Sequence, residues 1–325
     1  MPRSTDIFTV VVPLGRRHAQ FTALLEFAPY ADARSLMNKI FQRMGDPNGG
    51  FVRHFQGDGF HSRLFELCCF AYLEEAGLGV DRAQPCPDFI VSGQLGHAAV
   101  ESVTLNSPAG QGTDISLLRL EPLTQEEIFA KVSRELAQRI SRTLVRKLKH
   151  AYQDLDHCRD RPLVFMVGPF FEAGASFYTD DALFYPLFGG PEGWENETLP
   201  FFRRKEASAV SAVLYCNQFT VSKFFRLATD FSTSDLPITL REGMCYRPHG
   251  VDAHALCKFS HRLGSTATPK EKWAEGITVF ENPYARIPLP RGLLPATSFV
   301  YVEDGYVSRE VAEFHPVVST TRICG

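Results

Sequence analysis

The sequence has no long apolar run. The run within MPRSTDIFTVVVPLGRRHAQ is too short to span a bilayer and precedes no small-residue cleavage site, so neither a membrane span nor a secretory signal is expected. The eight cysteines include no C-x-x-C pair, and a chain of 325 residues needs no disulfide framework. These absences predict a cytoplasmic protein with reduced thiols and no membrane partner.

Several motifs of common enzyme classes are also missing. There is no P-loop and no G-x-G-x-x-G, so the sequence does not support a nucleotide-driven or dinucleotide-dependent enzyme. There is also no G-x-S-x-G, so it does not support a serine hydrolase. The net charge is −3, so any contact with nucleic acid must come from a local patch. A hydrophobic content of 44% and a charged content of 22% are typical of a globular chain with a substantial core.

The order of helical and strand patterns predicts the fold. SRLFELCCFAYLEEAG has helical spacing, PDFIVSG and HAAVESVTL predict two strands, and RPLVFMVGPF predicts a buried strand. Between them a long helix is expected, opening at the capping-box pair Thr124 and Glu127 and running to about residue 155. The order helix–strand–strand–helix–strand favours an α/β fold in which helices cover both faces of a mixed central sheet.

The flanking segments are less regular. IFTVVVPLG predicts an N-terminal strand, and ASAVSAVLYC predicts either a strand or a buried helix. After about residue 232 the short runs GITVF and TSFVYVED are β-like. We therefore expect an α/β domain over residues 1–232, with its core at about 58–170 and an N-terminal extension over 1–50. A β-rich C-terminal part over 233–325 should pack on that domain.

Two carboxylates fall on the two central strands. Asp88 follows a proline at the start of one strand, and Glu101 follows the apolar run HAAV in the next. Hard cations such as Mg²⁺ are held by one or two carboxylates together with waters and phosphate oxygens. An acid in so apolar a strand needs a partner or a metal, and Glu66 lies in a similarly apolar helix. The simpler alternative is that Asp88 is only a turn residue after Pro87, that Glu101 is a charge on an edge strand, and that Glu66 faces solvent.

The helix acid, the PDF and VES segments and the long helix that follows resemble the PD-(D/E)XK nuclease superfamily over about residues 60–170. The resemblance implies a restriction-endonuclease-like αβα core and a nuclease that uses Mg²⁺ (or Mn²⁺) to hydrolyse phosphodiester bonds. DNA, or else RNA, is the implied partner, and a homodimer is one option. Asp88 and Glu101 match the two acidic motif positions, and Glu66 matches the helix acid. Val103 stands where the motif has its lysine.

Helical phase identifies a substitute for that lysine. At about 100° per residue, the long helix places Ile140, Leu144 and Leu148 on one broad apolar face. Lys147 falls near the middle of this face, whereas the other basic residues avoid it, with Arg139 near its margin. We expect Lys147 to replace the missing lysine beside Asp88 and Glu101. The alternative is that Lys147 extends to solvent at the helix C-terminus.

The opposite face of this helix is basic. Residues 131–149 include seven positive side chains and one negative side chain. Such a stripe can neutralise nucleic-acid phosphates, although most charge runs are merely solvated helix faces. The expected nucleic-acid contacts are Lys131, Arg134, Arg142, Arg146 and Lys149.

Two other interpretations stay open. Val103 in place of the motif lysine is compatible with a catalytically inactive nuclease-fold protein that serves as a binding or interaction module. A zinc-stabilised β-rich protein is the other, because five residues of the types that bind zinc lie within 17 positions. These are Cys245, His249, His254, Cys257 and His261, whose spacings match no familiar zinc finger.

Overall fold

The computed structural model describes residues 6–106, 136–171, 174–190, 199–233, 236–248 and 255–324. Its helices are α1 (Ala19–Glu26), α2 (Ala31–Met44), α3 (Phe51–Gln56), α4 (Phe60–Glu75), α5 (Ala137–Leu148), α6 (Phe184–Phe188) and α7 (Val221–Ala228). Its strands are β1 (Gly79–Asp81), β2 (Phe89–Gly93), β3 (Gly96–Asn106), β4 (Leu163–Phe170), β5 (Val210–Tyr215), β6 (Thr239–Tyr246), β7 (Cys257–Arg262), β8 (Thr278–Glu281), β9 (Ser298–Glu303), β10 (Tyr306–Val311) and β11 (His315–Ile323). Within these ranges no helix has the length and apolar character that crossing a membrane requires.

One large mixed sheet organises the chain. Its eight strands run in the order β1-β2-β3-β4-β5-β8-β9-β10. The pairs β3–β4, β4–β5 and β8–β9 are parallel, and the other neighbours are antiparallel. The expected α/β class is therefore confirmed, and helix α4 and strands β2, β3 and β4 lie where the sequence patterns place them.

Helices cover both faces of this sheet. On one face Val100 and Met166 share a core with the apolar residues of α2 and α4. On the other face Val103 and Phe165 share a second core with Ile140 of α5. Because side chains alternate between faces, residues 101 and 103 of β3 both point towards α5. The apolar character of β4 follows from burial on both faces.

The N-terminal strand prediction is wrong. Residues 6–13 form turns and irregular chain instead of a strand. The buried side chain of Gln56 takes the place of a neighbouring strand: its Oε1 accepts hydrogen bonds from the amides of Val11 and Val12, and its Nε2 donates to the carbonyls of Ile7 and Thr9. A single glutamine thus satisfies backbone groups that the apolar sequence would otherwise offer to a sheet.

Helix α5 is shorter at its C-terminus than expected. It ends at Leu148 instead of near residue 155, and Ala151 has a positive φ of 49°. The left-handed backbone conformation of Ala151 is incompatible with a continued right-handed helix. A short 3₁₀ turn follows at Tyr152–Asp154. The proposed capping pair, Thr124 and Glu127, lies outside the described residues.

The C-terminal part is rich in strands, as expected, and contributes to two sheets. GITVF and TSFVYVED form β8 and β9, which extend the main sheet together with β10, while β11, β6 and β7 form a three-stranded sheet. The ASAVSAVLYC segment is a strand, β5. Asp180 connects these elements because its carboxylate accepts from Thr278 of β8 and pairs with Arg309 of β10, with His315 of β11 3.5 Å away.

Asp180 should make stability depend on pH in the acid range. Burial alone would raise its pKa, but the hydrogen bond with His315 and the charge of Arg309 lower the pKa from 3.8 to about 2. A lowered carboxyl pKa stabilises the fold above pH 3.8, and that contribution is lost as the pH falls from 3.8 towards 2. Asp180→Asn should lower the free energy of unfolding by about 2 kcal/mol at neutral pH and by much less in strong acid. Urea titrations across this pH range measure the difference.

Asp156→Asn is the control for this prediction, because the Asp156 side chain is 91% exposed. Its effect on unfolding should be small at every pH. An Asp180→Asn effect that stays constant from neutral to acid pH would contradict the assigned role of the ionised carboxylate.

Candidate active site

Asp88 and Glu101 lie side by side on neighbouring strands. Phe89 pairs with Val100 in the antiparallel β2–β3 ladder, so the residue before Phe89 lies opposite Glu101. The amide of Asp88 donates to Glu101 Oε2 at 3.2 Å. The Asp88 carboxylate in turn accepts from the Ser102 amide at 2.8 Å and from the Ser102 hydroxyl at 2.5 Å. The structure therefore brings the two acids together.

Lys147 reaches the same place from α5. Its Nζ lies 2.5 Å from Glu101 Oε1, with the lysine side chain 23% exposed and the glutamate side chain 9% exposed. Val103, which stands at the motif-lysine position, points to the same side of β3 and is buried in the α5-facing core. Lys147 thus delivers an ammonium group to the face of the sheet on which a lysine at position 103 would lie.

Tyr152 is a site residue that the sequence did not indicate. It is 2% exposed, and its hydroxyl shares a hydrogen bond with Glu101. As the fifth residue after Lys147 in a continuous helix, Tyr152 would point in a different direction from the lysine. The left-handed turn at Ala151 brings the phenol back towards the carboxylate, and helical periodicity carries no signal for such a turn.

Asp88, Glu101 and Lys147 together carry a net negative charge. Burial and then the charge of Asp88 raise the pKa of Glu101, while Lys147 and the hydrogen bond from Tyr152 act to lower it. Burial and the neighbouring Glu101 raise the pKa of the Tyr152 phenol, so this group stays a neutral hydrogen-bond donor. The Lys147 ammonium pairs with Glu101, while the charge of Asp88 acts on the same carboxyl group, and the excess of negative charge over these three groups favours a further cation.

Glu66 lies in the apolar helix as expected, but its carboxylate forms ion pairs with two arginines. Oε2 pairs with Arg63 and Oε1 pairs with Arg82, and the Glu66 side chain is 3% exposed. Burial and the charge of Asp88 raise the pKa of Glu66, whereas both arginines lower it. Arg82 also donates to the carbonyls of Met44 and Gly45 at the end of α2. Each oxygen of Glu66 is therefore engaged in an ion pair with an arginine.

An oxygen of Asp88 is available to a hard cation. Within the described ranges, Asp88 Oδ1 makes no hydrogen bond, and its side chain is partly exposed. Mg²⁺ commonly takes only one or two protein carboxylates and completes its octahedron with water and phosphate oxygens. The Asp88 and Glu101 pair fits that requirement. A cage of three or more His, Cys, Asp or Glu side chains is absent from the described part of the chain.

The zinc alternative gains no support from the residues that can be placed. Cys245 and Cys257 are directly opposed in the β6–β7 ladder, but His261 lies four residues further along β7, opposite Arg241, and no group of three ligand side chains occurs in the described residues. His249 and His254 lie outside the described residues.

The basic face of α5 points away from the carboxylates. Arg142, Arg146 and Lys149 are exposed, whereas Lys147 is on the core side of the helix. A nucleic-acid strand on the basic face would have to pass around the C-terminal end of α5 to reach Glu101. Lys131 and Arg134, the other two expected contacts, lie outside the described residues.

Comparison of the chain with protein-family models, with curated proteins and with solved structures gives no match.

Loss of the Lys147 amine should destabilise the fold even without metal. Lys147→Met leaves the buried Glu101 carboxylate without its cation, and we expect a loss of about 2 kcal/mol in the free energy of unfolding. Urea titration at neutral pH in EDTA measures it. Lys149→Met is the matched control, because Lys149 is exposed two residues away and its loss should change stability by less than about 0.5 kcal/mol. Equal effects of the two substitutions would contradict the ion pair.

Proposed function

We propose that the chain is a nuclease that uses Mg²⁺ (or Mn²⁺) to hydrolyse phosphodiester bonds of DNA or RNA. The observation that carries this proposal is the convergence of Asp88, Glu101 and the Lys147 ammonium at one point of the sheet. Two carboxylates can hold a hard cation, and a lysine beside them can orient the attacking water, which together support such hydrolysis.

Each side chain has a chemical role in this proposal. Asp88 and Glu101 would hold the metal ion, which supplies Lewis-acid stabilisation of the charge that develops on the phosphate. The Lys147 ammonium would orient the attacking water and offset negative charge at the phosphate. Tyr152 would keep the Glu101 carboxylate in position through its hydrogen bond. Glu66 would act indirectly, by fixing Arg63 and Arg82 behind Asp88.

The arrangement of elements supports a restriction-endonuclease-like core in this proposal. Helix α4 precedes the antiparallel strands β1, β2 and β3, and α5 then connects β3 to the parallel strand β4. Glu101 lies on β3, and Asp88 directly precedes β2, the antiparallel neighbour of β3.

A second candidate is an inactive nuclease-fold protein that binds a partner. The observation that favours it is the saturation of Glu66 by two arginines, together with valine at position 103. In that case Asp88, Glu101 and Lys147 would form a structural ion-pair cluster with no catalytic role.

Cleavage assays separate the two candidates. We expect Mg²⁺-dependent degradation of plasmid or single-stranded DNA that EDTA abolishes. Asp88→Asn and Glu101→Gln should remove activity, and Lys147→Ala should reduce it by about 100-fold or more, because each removes a group at the reacting phosphate. Lys258→Ala removes an exposed lysine of β7, outside the site and the basic face, and is the control that should retain activity. Cleavage that survives Lys147→Ala unchanged would refute the role of this lysine.

A transplanted lysine gives a sharper control for the same prediction. Val103 lies on the same side of β3 as Glu101, so Val103→Lys in the Lys147→Ala background places an ammonium near the carboxylate from the other direction. Partial recovery of cleavage in a variant that still unfolds cooperatively is the expected result. A folded double variant with no recovery would show that the position of Lys147 on α5 is itself required.

The exposed arginines of α5 should govern affinity and its salt dependence. In the Arg142→Ala/Arg146→Ala variant, removal of two phosphate contacts should reduce the slope of log binding constant against log salt by about 2. Fluorescence anisotropy with a labelled oligonucleotide at several salt concentrations measures this slope. Lys258→Ala/Arg262→Ala removes two exposed charges from β7 and is the control. Identical slopes in both variants would show that the basic face of α5 does not contact nucleic-acid phosphates.

A further inference from the structure

Two cysteines face each other across neighbouring strands of the three-stranded sheet. Cys245 of β6 and Cys257 of β7 are direct partners in an antiparallel ladder, so their side chains project from the same face of the sheet. Both are free thiols, of which Cys245 is fully buried and Cys257 is partly exposed. The two thiols therefore form an adjacent pair with one member open to solvent.

The ladder fixes the distance between the two backbones. The Leu263 amide donates to the Thr239 carbonyl in the same register, and hydrogen-bonded pairs recur at every second residue of an antiparallel ladder. Cys245 lies an even number of residues after Thr239, so it belongs to a hydrogen-bonded pair, in which Cα atoms are about 5.5 Å apart. Disulfides join Cα atoms that are roughly 4.4–6.8 Å apart, which places these backbones within bridging distance.

The side chains of such a pair must approach further before a bond can form. Their Cβ atoms are about 5.5 Å apart, whereas a disulfide needs about 3.5–4.5 Å. Strand β7 is the edge strand of its sheet and pairs with β6 alone among the described strands. Cys257 is its first residue, so a shift of about 1 Å there would join the sulfur atoms without breaking a second ladder.

A cation lies beside the buried thiol. Burial raises the pKa of the Cys245 thiol, and the hydrogen bond and charge of Arg247 act against this increase. A neighbouring cation favours the thiolate, which is the form that attacks a disulfide. The buried cysteine thus has a group that supports its reaction once its partner has been modified.

We propose that Cys245 and Cys257 form a site of reversible oxidation, at which a low-molecular-weight disulfide such as oxidised glutathione is the oxidant. In the first step the Cys257 thiolate attacks one sulfur of the small disulfide, which forms a mixed disulfide and releases one small thiolate. In the second step the Cys245 thiolate attacks the Cys257 sulfur and releases the second small thiolate. The protein thiols lose two protons and two electrons, and the small disulfide takes up both as two thiols.

The new bond would tie an edge strand to the central strand of its sheet. It would close the segment between β6 and β7 into a covalent loop, and such loops stabilise a fold mainly by restricting the unfolded chain. A thiol reductant would reopen the loop. None of these steps involves Asp88, Glu101 or Lys147, so the proposal is independent of whether the chain cleaves nucleic acid.

Incubation of the full, natively folded chain with oxidised glutathione tests the proposal. Proteolysis after alkylation of the remaining thiols should yield a peptide pair joined through Cys245 and Cys257, with no glutathione retained on Cys257. Dithiothreitol should restore both thiols. The oxidised protein should melt several degrees above the reduced protein, because the loop restricts the unfolded chain.

Serine variants separate the two steps. Cys245→Ser should stop at the mixed disulfide, with glutathione retained on Cys257, because no second thiol faces it. Cys257→Ser should form neither the bridge nor an adduct at Cys245, because the remaining thiol is buried. Cys324→Ser removes another partly exposed thiol and is the control that should still form the bridge. Thermal unfolding of each reduced variant shows that it is folded before the reaction.

Two kinds of result would overturn the proposal. One is wild-type protein in which Cys257 keeps its glutathione or stays unmodified. The other is a bridge that joins different cysteines, or one that joins Cys245 to Cys257 only after the protein has been unfolded in urea.

Discussion

A carboxylate buried in the middle of a β-strand imposes the main constraint on this structure. Glu101 lies within the sheet, where an unpaired charge would be costly, and three separate segments supply its partners. Lys147 comes from α5, the Asp88 amide comes from the start of β2, and Tyr152 comes from the turn after the helix. The same interactions that satisfy one buried charge therefore fix a helix, a strand and a turn relative to one another.

The second buried carboxylate is satisfied in a different way. Glu66 is held by Arg63 and Arg82, and Arg82 also binds the carbonyls at the end of α2. This makes Glu66 part of the helical layer and leaves Asp88 as the acid with an available oxygen. The two faces of the sheet thus have different electrostatic character: two arginines pair with Glu66 on the α4 side, while Lys147 pairs with Glu101 on the α5 side.

Local sequence patterns predicted the central elements because each pattern has a local cause. The helix at residues 60–75, the strands around Asp88 and Glu101, and the inward direction of Lys147 all follow from side-chain periodicity. Tyr152 was missed because its direction depends on one left-handed residue, Ala151. The N-terminal segment was misassigned because Gln56, more than 40 positions away from Val11 and Val12, satisfies its backbone. Neither cause leaves a periodic trace in the sequence.

Strand β5 has a consequence for any attempt to isolate the N-terminal two thirds of the chain. All six of its residues are buried, and it pairs with β4 on one side and with β8, from the C-terminal part, on the other. A fragment that ended at residue 232 would lose β8 and leave one whole edge of β5 without hydrogen-bond partners. An apolar edge with open backbone groups is a template for strand addition, so such a fragment would tend to self-associate. The C-terminal third thus covers, through β8, the edge of β5 with which a second chain could otherwise pair.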